Sequence, residues 1–216
     1  MKHTVIVSSY NRPTMLRQAL ASVFASDYDG LEVIVADDGS VDEVKEVKNH
    51  FDVKWIDFSD DKRDRVFRYS IGINRALDIA KGNIIHYLAD DDLFAKDRFD
   101  FVDAEMGNAV VCFGRLIYFN DKIYWKQGGG RFPLQDISPN NPHPIGGGVL
   151  DHNQVFHRRD CDVKKWRVMN NPTDCVFFHD LSKIYKFHKF NKIVAAKRDH
   201  KFNLIKLRTQ GGGLKE

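Results

Sequence analysis

The stretch Asn83-Ile-Ile-His-Tyr-Leu-Ala-Asp-Asp-Asp92 joins a mainly apolar run of strand length directly to three consecutive carboxylates. A short apolar run that ends in polar residues is typical of a buried strand in an α/β sheet. Open α/β sheets bind their ligands beyond the carboxyl ends of the strands. The stretch therefore predicts an α/β fold with an acidic site at that edge.

Upstream of this stretch, three segments repeat the alternation of strand and helix that is typical of a parallel sheet. Strands are predicted over Val5–Ser8, Leu31–Ala36 and Val53–Ile56. Helices are predicted from Pro13, which suits a first helical turn, from the neighbourhood of Val44 and Val47, and over Phe67–Ala80. Ser40 is placed to cap the helix of Val44 and Val47. Polar residues follow the first two strands, as they follow the fourth.

The second half of the chain is less regular. Its predicted elements are a helix over Asp97–Met106, a hairpin of Val110–Phe119 and Lys122–Lys126, a helix over Thr173–Tyr185, a strand over Lys192–Ala196 and a basic helix or coil over His200–Arg208. Residues 128–148 are rich in Gly and Pro and are expected to form a mobile loop over a site. We expect one domain over 1–216, with halves 1–95 and 96–210 and a disordered tail at 211–216.

Composition narrows the class of protein. The sequence of 216 residues is 43% hydrophobic, which suffices for a sizeable core. It contains no apolar run long enough for a transmembrane helix or a signal peptide, so a cytoplasmic location is expected. Cys112, Cys161 and Cys175 lack paired spacing, which argues against a disulfide framework or a zinc ribbon.

The charge is distributed unevenly along the chain. Residues 1–157 carry a net −6 and residues 158–216 a net +9. A basic segment forms either a solvated surface or a face for an anionic partner. Its aromatic residues, Trp166, Tyr185, Phe187 and Phe190, allow two such partners, an anionic membrane surface on which the protein rests peripherally or a nucleic acid.

Three adjacent carboxylates, Asp90, Asp91 and Asp92, repel one another unless a cation or basic groups compensate them. Mg²⁺ or Mn²⁺ prefers such hard oxygen ligands and completes its shell with diphosphate oxygens and water. This pattern predicts a metal-assisted diphosphate site. An exposed acidic turn that caps the next helix is the alternative for an isolated triplet.

Four motifs in the first 95 residues occur in the order found in one enzyme family. They are Val5-Ile-Val-Ser-Ser-Tyr-Asn-Arg-Pro13, Val33-Ile-Val-Ala-Asp-Asp-Gly-Ser40, Asn74-Arg75 and Leu88-Ala-Asp-Asp-Asp-Leu93. The set resembles family 2 glycosyltransferases of the GT-A fold. The resemblance implies a single Rossmann-like mixed sheet flanked by helices, with a smaller acceptor-side region at the C-terminus. It also implies metal-dependent, inverting transfer from a nucleotide diphosphate sugar, of which UDP is the favoured carrier.

The resemblance also assigns donor-binding residues. The main chain from Ser8 to Tyr10, with Asp37 or Asp38, is expected to hold the base and ribose. Arg12 or Arg75 is expected near the phosphates, and Asn74 belongs to the same helix motif. For Asp37 and Asp38, a turn with a helix cap is the alternative.

Asp90 and Asp92 are expected to form the metal-binding pair of this family, with Asp91 beside the nucleotide. Ala89 stands where many family members have the first Asp, so the choice of ligands among the three carboxylates stays open. His200 is expected to approach the metal, and Arg198 to neutralise phosphate charge. A surface position is the alternative for His200.

On the acceptor side, 151–159 resembles a strand that lies beneath the acceptor, with His152 facing the site. Asp174 is expected to be the catalytic base, which takes a proton from the attacking hydroxyl, and Asp180 is the reserve candidate. Thr173 replaces the family's Glu, so a helix N-cap is the alternative reading of this segment.

Three other functions compete with transfer to a glycan or surface-polysaccharide precursor. A nucleotidyltransferase shares the sheet and the carboxylates, but 8–13 lacks the Gly-rich phosphate loop of that class. A binding protein that kept the fold and lost the chemistry is compatible with Ala89. A glycosyltransferase that acts on a modified nucleic-acid base is the third alternative.

Overall fold

The computed structural model describes residues 2–60, 68–120, 136–145, 149–168 and 173–199. These residues contain an eight-stranded sheet of order β3-β2-β1-β4-β7-β6-β8-β5. Its strands are β1 His3–Ser9, β2 Leu31–Asp37, β3 Lys54–Asp57, β4 Ile84–Ala89, β5 Leu93–Phe94, β6 Val111–Phe119, β7 Val155–Arg158 and β8 Phe187–Arg198. The predicted α/β fold with a mixed sheet is confirmed.

Helices connect the strands and cover the sheet. The α-helices are α1 Pro13–Phe24, α2 Asp42–Lys45, α3 Tyr69–Ile79, α4 Arg98–Glu105 and α5 Thr173–Ser182, with 3₁₀ helices at Glu46–His50 and His152–Gln154. Pro13 begins α1, where its missing N–H costs no hydrogen bond. Within the described residues, no helix is long and apolar enough to cross a membrane.

The first half of the sheet is parallel. β1 lies between β2 and β4, with Ser8 opposite both Ala36 and Ala89. This register aligns the carboxyl ends of three strands at one edge, as the sequence predicted. The helix α3 packs closely on these strands because Gly72 has no side chain. A Cβ at that position would lie 2.4 Å from a ring carbon of Phe58.

The second half is mixed. β7 pairs antiparallel with β4 and β6, whereas β6 and β8 are parallel. The predicted strand Lys192–Ala196 is the middle of the longer β8, Phe187–Arg198. The predicted second arm of the hairpin, 122–126, lies outside the described residues, as do most of the predicted loop 128–148 and all of 200–216.

Some of the aromatic residues that we considered for a membrane or nucleic-acid surface are buried in the core. Trp166 and Phe187 are each only 2% exposed. Trp166 stacks on Phe177 with ring centroids 5.1 Å apart. Phe190 packs edge-to-face on Phe101. The assignment of Trp166 and Phe187 to a binding surface was therefore wrong, because their large apolar area is buried in the core.

Candidate functional site

The loops after β1, β2 and β4 are joined at the carboxyl edge of the sheet. The N–H of Asp38 donates to the carbonyl of Ser9 (3.0 Å), and the N–H of Asp90 donates to the carbonyl of Ser8 (3.1 Å). The N–H of Tyr10 donates to Oδ2 of Asp90 (2.9 Å). The main chain of 8–10 thus lies between the two acidic turns, and its predicted contact with the base and ribose stays a prediction.

Arg12 neutralises two of the three consecutive carboxylates. Its Nη2 lies 2.5 Å from Oδ1 of Asp90, and its Nη1 contacts Oδ2 of Asp91. Asp90 is fully buried, and burial raises its pKa to about 7 although Arg12 opposes the shift. For Arg12, burial lowers the pKa, but the carboxylates outweigh it and the pKa is raised. An arginine thus occupies the place where the sequence predicted a cation.

Asp92 has different partners. Its Oδ2 accepts a hydrogen bond from Nδ2 of Asn153 (2.7 Å), and its Oδ1 accepts one from the main-chain N–H of Arg198 (2.7 Å). Burial raises the pKa of Asp92 to about 8, against the effect of Lys197. The carboxylate is therefore held in place by neutral donors and retains a tendency to bind a proton or a cation.

Asp37 stabilises the turn after β2. Its Oδ2 accepts from the N–H of Ser40 (2.9 Å), and its Oδ1 accepts from the Ser40 hydroxyl (2.5 Å). Gly39 adopts φ +75°, which only glycine adopts readily. The Ser40 hydroxyl also accepts from the N–H of Asn11 (2.9 Å). The prediction that Ser40 caps α2 was wrong, since that helix has no side-chain cap and its N-cap position is Val41.

The carboxylate of Asp38 is paired with the guanidinium of Arg68. Nε of Arg68 donates to both carboxylate oxygens of Asp38 (2.9 and 2.8 Å), and Nη2 donates to Oδ1 (2.6 Å). Such a two-pronged contact fixes the planes of both groups. The side chains of Asp38 and Arg68 are 18% and 25% exposed, so both reach the surface of the site.

The two residues predicted on α3, Asn74 and Arg75, have partners other than the carboxylates of these acidic turns. Asn74 makes two hydrogen bonds with the main chain of Trp166: its Nδ2 donates to the carbonyl and its Oδ1 accepts from the N–H, both at 2.8 Å. Arg75 forms an exposed ion pair with Asp60 (2.8 Å). These contacts give Asn74 a role in connecting α3 to the segment before α5.

Asp174, the predicted base, is in the first turn of α5 with its side chain 15% exposed. Nδ1 of His152 lies 3.9 Å from Oδ2 of Asp174 and 3.8 Å from Oδ1 of Asp151. Burial lowers the pKa of His152, but the two carboxylates outweigh it and the pKa is raised. Burial raises the pKa of the Asp151 carboxyl, but Lys197, His152 and the hydrogen bonds to this carboxyl together outweigh burial and lower the pKa. When His152 is protonated, positive and negative groups alternate from Lys197 through Asp151 and His152 to Asp174.

The remaining predicted residues fall in different places. Asp180, the reserve base, pairs with Nε of Arg167 at 2.9 Å. The side chain of Arg198 donates from Nε to the carbonyl of Asp91 (3.0 Å) and from Nη2 to Gln18 (2.5 Å). It therefore lies beside the acidic turn, and its predicted role at the phosphates stays a prediction. His200 lies outside the described residues.

The sequence profile described as glycosyl transferase family 2 matches residues 4–163. The chain belongs to glycosyl transferase family 2. The family predicted from the motifs is confirmed.

Two curated relatives illustrate the breadth of family 2. Protein CgeD of Bacillus subtilis (strain 168) is 25% identical over 218 residues, which cover 89% of this chain and 49% of the relative. The GalNAc(5)-diNAcBac-PP-undecaprenol beta-1,3-glucosyltransferase of Campylobacter jejuni is 36% identical over 98 residues, covering 42% of this chain and 30% of the relative. The chain thus spans half or less of the length of these relatives.

Solved structures share the fold. The crystal structure of S. aureus TarS matches with a TM-score of 0.71 at 18% identity, covering 92% of this chain and 37% of TarS. TarS 1-349 in complex with UDP-GlcNAc gives 0.67 at 15% identity, covering 95% and 60%. The mannosyltransferase PcManGT from Pyrobaculum calidifontis, in complex with GDP-Man and Mn2+, gives 0.67 at 13% identity, covering 97% and 60%. The predicted GT-A fold is confirmed.

The acidic turn of this family 2 chain can contribute ligands to a divalent cation, but it does not form a closed metal site. Asp90, Asp91 and Asp92 supply hard oxygen donors, which suit Mg²⁺ or Mn²⁺. In the part of the chain that the structure describes, no group of three or more His, Cys, Asp or Glu is arranged to hold a metal ion. The donor set therefore fits an ion that takes one or two ligands from the protein and the rest from a diphosphate and water.

Sequence reasoning missed three residues of this family 2 site: Arg68, Asn153 and Lys197. Arg68 lies within the predicted helix Phe67–Ala80, at the N-cap position of α3, and nothing in the local sequence pairs it with Asp38. Asn153 belongs to the segment 151–159, in which a polar triplet precedes a buried strand. That triplet was the only feature of the sequence that could have marked Asn153 as a candidate. Each of these three side chains contacts a carboxylate that lies far from it in the sequence.

Proposed function

We propose that the protein is a glycosyltransferase that moves a sugar from a nucleotide diphosphate, with UDP as the favoured carrier, to an acceptor hydroxyl with inversion. One observation carries the proposal: a continuous row of contacts links the acidic turn to the proposed base. Asp92 contacts Asn153, Asn153 contacts Asp151, and His152 lies between Asp151 and Asp174.

The donor side of this row supplies groups of the kinds that a nucleotide diphosphate needs. Asp38 and Arg68 offer an acceptor and a fork of donors, which can pair with the edge of a base or the hydroxyls of a ribose. Tyr10, whose side chain is 54% exposed at the same edge, offers a flat apolar surface. Arg12 and Arg198 bring positive charge beside the acidic turn, where the diphosphate is expected.

Mn²⁺ or Mg²⁺, held by Asp92 with Asp90 or Asp91, would stabilise the negative charge that develops on the departing diphosphate. Asp90 and Asp91 are paired with Arg12, so they would share their carboxylate oxygens between this guanidinium and the ion.

Asp174 is the proposed base. Its carboxylate takes the proton from the acceptor hydroxyl while that oxygen bonds to the anomeric carbon and the bond from that carbon to the diphosphate breaks. Attack from the face opposite the diphosphate inverts the anomeric configuration. Because His152 lies beside it, Asp174 keeps a fixed orientation during the transfer.

The proposed acceptor is a glycan or a precursor of a surface polysaccharide. The support comes from the relative in Campylobacter jejuni, which is named as a glucosyltransferase of an undecaprenol-linked glycan. That relative is aligned over 98 positions and covers 42% of this chain, so it bears on less than half of the chain.

A thermal-shift measurement with UDP, GDP, dTDP and CDP, each with and without Mn²⁺, tests the proposal. Ligands that bind only the native state raise the unfolding midpoint by mass action. We expect a Mn²⁺-dependent shift with UDP that Asp92→Ala removes. Asp97→Ala, which deletes a surface carboxylate paired with Lys192, is the control and should keep the shift. If no diphosphate shifts the wild-type midpoint, the proposal is wrong.

A further inference from the structure

Arg98, the first residue of α4, is fully buried although it carries a charge. Its guanidinium carbon lies 3.9 Å from the centroid of the Phe94 ring. Burial lowers the pKa of this guanidinium to about 9. Taking a cation out of water costs free energy that a methionine would not require. The burial of a charged side chain at this position therefore indicates a role that an apolar side chain cannot perform.

The guanidinium holds three main-chain carbonyls from two neighbouring segments. Nη1 donates to the carbonyls of Asn153 (2.7 Å) and Val194 (3.0 Å), and Nη2 donates to that of Val155 (3.3 Å). Val155 belongs to β7 and Val194 to β8. Arg98 therefore fixes the main chain of Asn153 relative to both strands.

A buried relay orients the guanidinium from its other side. Nε of Arg98 donates to Nδ1 of His86 (3.1 Å), so neutral His86 carries its proton on Nε2. That proton is shared with Nδ1 of His3 (2.8 Å), whose Nε2 then donates to Oδ1 of Asp103 (3.0 Å). Burial lowers the pKa of both histidines, which favours these neutral tautomers. One arrangement of protons satisfies every contact in the relay.

Asn153 connects this relay to the acidic turn. Its Nδ2 donates to Oδ2 of Asp92 (2.7 Å), and its Oδ1 accepts from the main-chain N–H of Ala89 (2.8 Å). The side chain of Asn153 can hold Asp92 only if its own main chain is fixed, and Arg98 supplies a direct hydrogen bond to that main chain.

We propose that Arg98 is a positioning residue for Asp92, which it fixes through the main chain and carboxamide of Asn153. The buried relay of Asp103, His3 and His86 orients the guanidinium for this task. The effect on donor turnover rests on the proposed function. The effect on the carboxamide of Asn153 does not, and it can be measured on the protein without any ligand.

The test observes the side-chain NH₂ of Asn153 by ¹H–¹⁵N NMR, with the signal assigned by its loss in Asn153→Ser. In Arg98→Met we expect this NH₂ to exchange with solvent at least about ten-fold faster and its resonance to move, because its carboxylate contact loosens. Arg98→Lys should restore part of the protection. In turnover assays, Arg98→Met should raise the donor KM roughly ten- to hundred-fold, with a smaller change in kcat.

Arg158→Met is the matched control. Arg158 also donates to main-chain carbonyls, from Nε to Ala109 (3.0 Å) and from Nη2 to Gly107 (2.5 Å), but at the other end of β7. Its loss should leave the Asn153 signal unchanged. A folded Arg98→Met protein with a wild-type Asn153 signal would overturn the proposal.

If Arg98→Met does not fold, the Asp103→Asn variant tests the proposal in its place. The Asp103 side chain is 27% exposed at the surface end of the relay, so its replacement perturbs the core less. We expect a smaller change of the Asn153 signal in the same direction, and an unchanged signal overturns the proposal. A wild-type protein that binds no nucleotide would end the proposed function, yet leave this NMR result fully interpretable.

Discussion

Nδ2 of Asn153 donates a hydrogen bond of 2.7 Å to Oδ2 of Asp92, across 61 residues of sequence. The same nitrogen also donates to Oδ1 of Asp151 at 2.5 Å. A neutral amide thus separates two buried carboxylates that would otherwise face each other. This side chain therefore holds the acidic turn together with Arg12 and the main-chain N–H of Arg198.

Asn153→Asp should damage the site more than its small change in size suggests. The substitution places a third carboxylate between Asp92 and Asp151 and removes the donor that both use. Breaking a buried polar contact in this way costs about 3 kcal/mol of unfolding free energy. Urea unfolding should show this loss, and the Mn²⁺-dependent UDP shift should weaken. Asn191→Asp adds the same charge on exposed β8 and should change neither measurement.

Asp174→Asn should abolish sugar transfer but keep donor binding. The amide occupies the same space and cannot accept the acceptor proton, so kcat should fall by about 10²- to 10⁴-fold. Asp180→Asn is the matched control, because Asp180 lies on the same helix and pairs with Arg167. Its kcat should stay within a few-fold of wild type. Equal losses in the two variants would remove Asp174 from the role of base.

Asn74→Ala should reduce stability without changing donor affinity. The side chain makes two hydrogen bonds to the main chain of Trp166, and the loss of both leaves buried groups unpaired. We expect a decrease of about 2 kcal/mol in the free energy of unfolding. The Kd of UDP from calorimetry should match the wild-type value. A Kd that rises ten-fold in a stable variant would instead support Asn74 as a donor-binding residue.

His157 should make the protein sensitive to acid. Its Nδ1 donates to the carbonyl of Arg158 (2.8 Å), its Nε2 accepts from the hydroxyl of Tyr87 (2.7 Å), and burial lowers its pKa to about 4. The unfolded chain, with a histidine pKa near 6.5, binds a proton more readily between these values. This contribution to stability is therefore complete above pH 6.5 and decreases as the pH falls toward 4, by on the order of 3 kcal/mol.

Urea unfolding at pH 7.5 and 4.5 checks this prediction with His157→Gln, whose amide can still accept from Tyr87. The difference in unfolding free energy between the two pH values should be smaller in the variant than in the wild type. His50→Gln replaces an exposed histidine and should leave the difference unchanged. An identical pH dependence in all three proteins contradicts the assignment to His157.

Much of the donor-binding half, residues 1–95, could be predicted because short stretches of its sequence indicate each strand and the polar residues that follow it. Strands β1, β2 and β4 are short apolar runs, and the residues that follow each run are polar. Parallel pairing then places Ser9, Asp37 and the turn after Ala89 at one edge, without any knowledge of side-chain contacts. The place of Asp90, Asp91 and Asp92 at this edge could therefore be predicted from position, and their assignment to a donor site rested on the motif resemblance.

The acceptor-side half, residues 96–210, was harder to predict because its strands pair with segments that are distant in the sequence. β6 pairs with both β7 and β8, and a register shift near Gly114 and Arg115 interrupts the pairing with β8. Because the sequence of β8 is basic and alternates only weakly, only its central residues were predicted as a strand. The aromatic residues Trp166 and Phe187 looked like surface candidates because burial is decided by packing partners, not by composition.

By itself, the sequence determined the alternation of strands and helices over residues 1–95 and the edge of the sheet at which the carboxylates gather. These two features follow from apolar periodicity and from the residues that end each strand, which are properties of neighbouring positions. The family followed from the resemblance of four motifs in the same residues. The tertiary structure alone decided which partner each carboxylate has: Arg12 for Asp90, Arg68 for Asp38 and Asn153 for Asp92. These pairs lie tens of residues apart, and such contacts form only when packing fixes the distance between side chains that carry no local signal for each other.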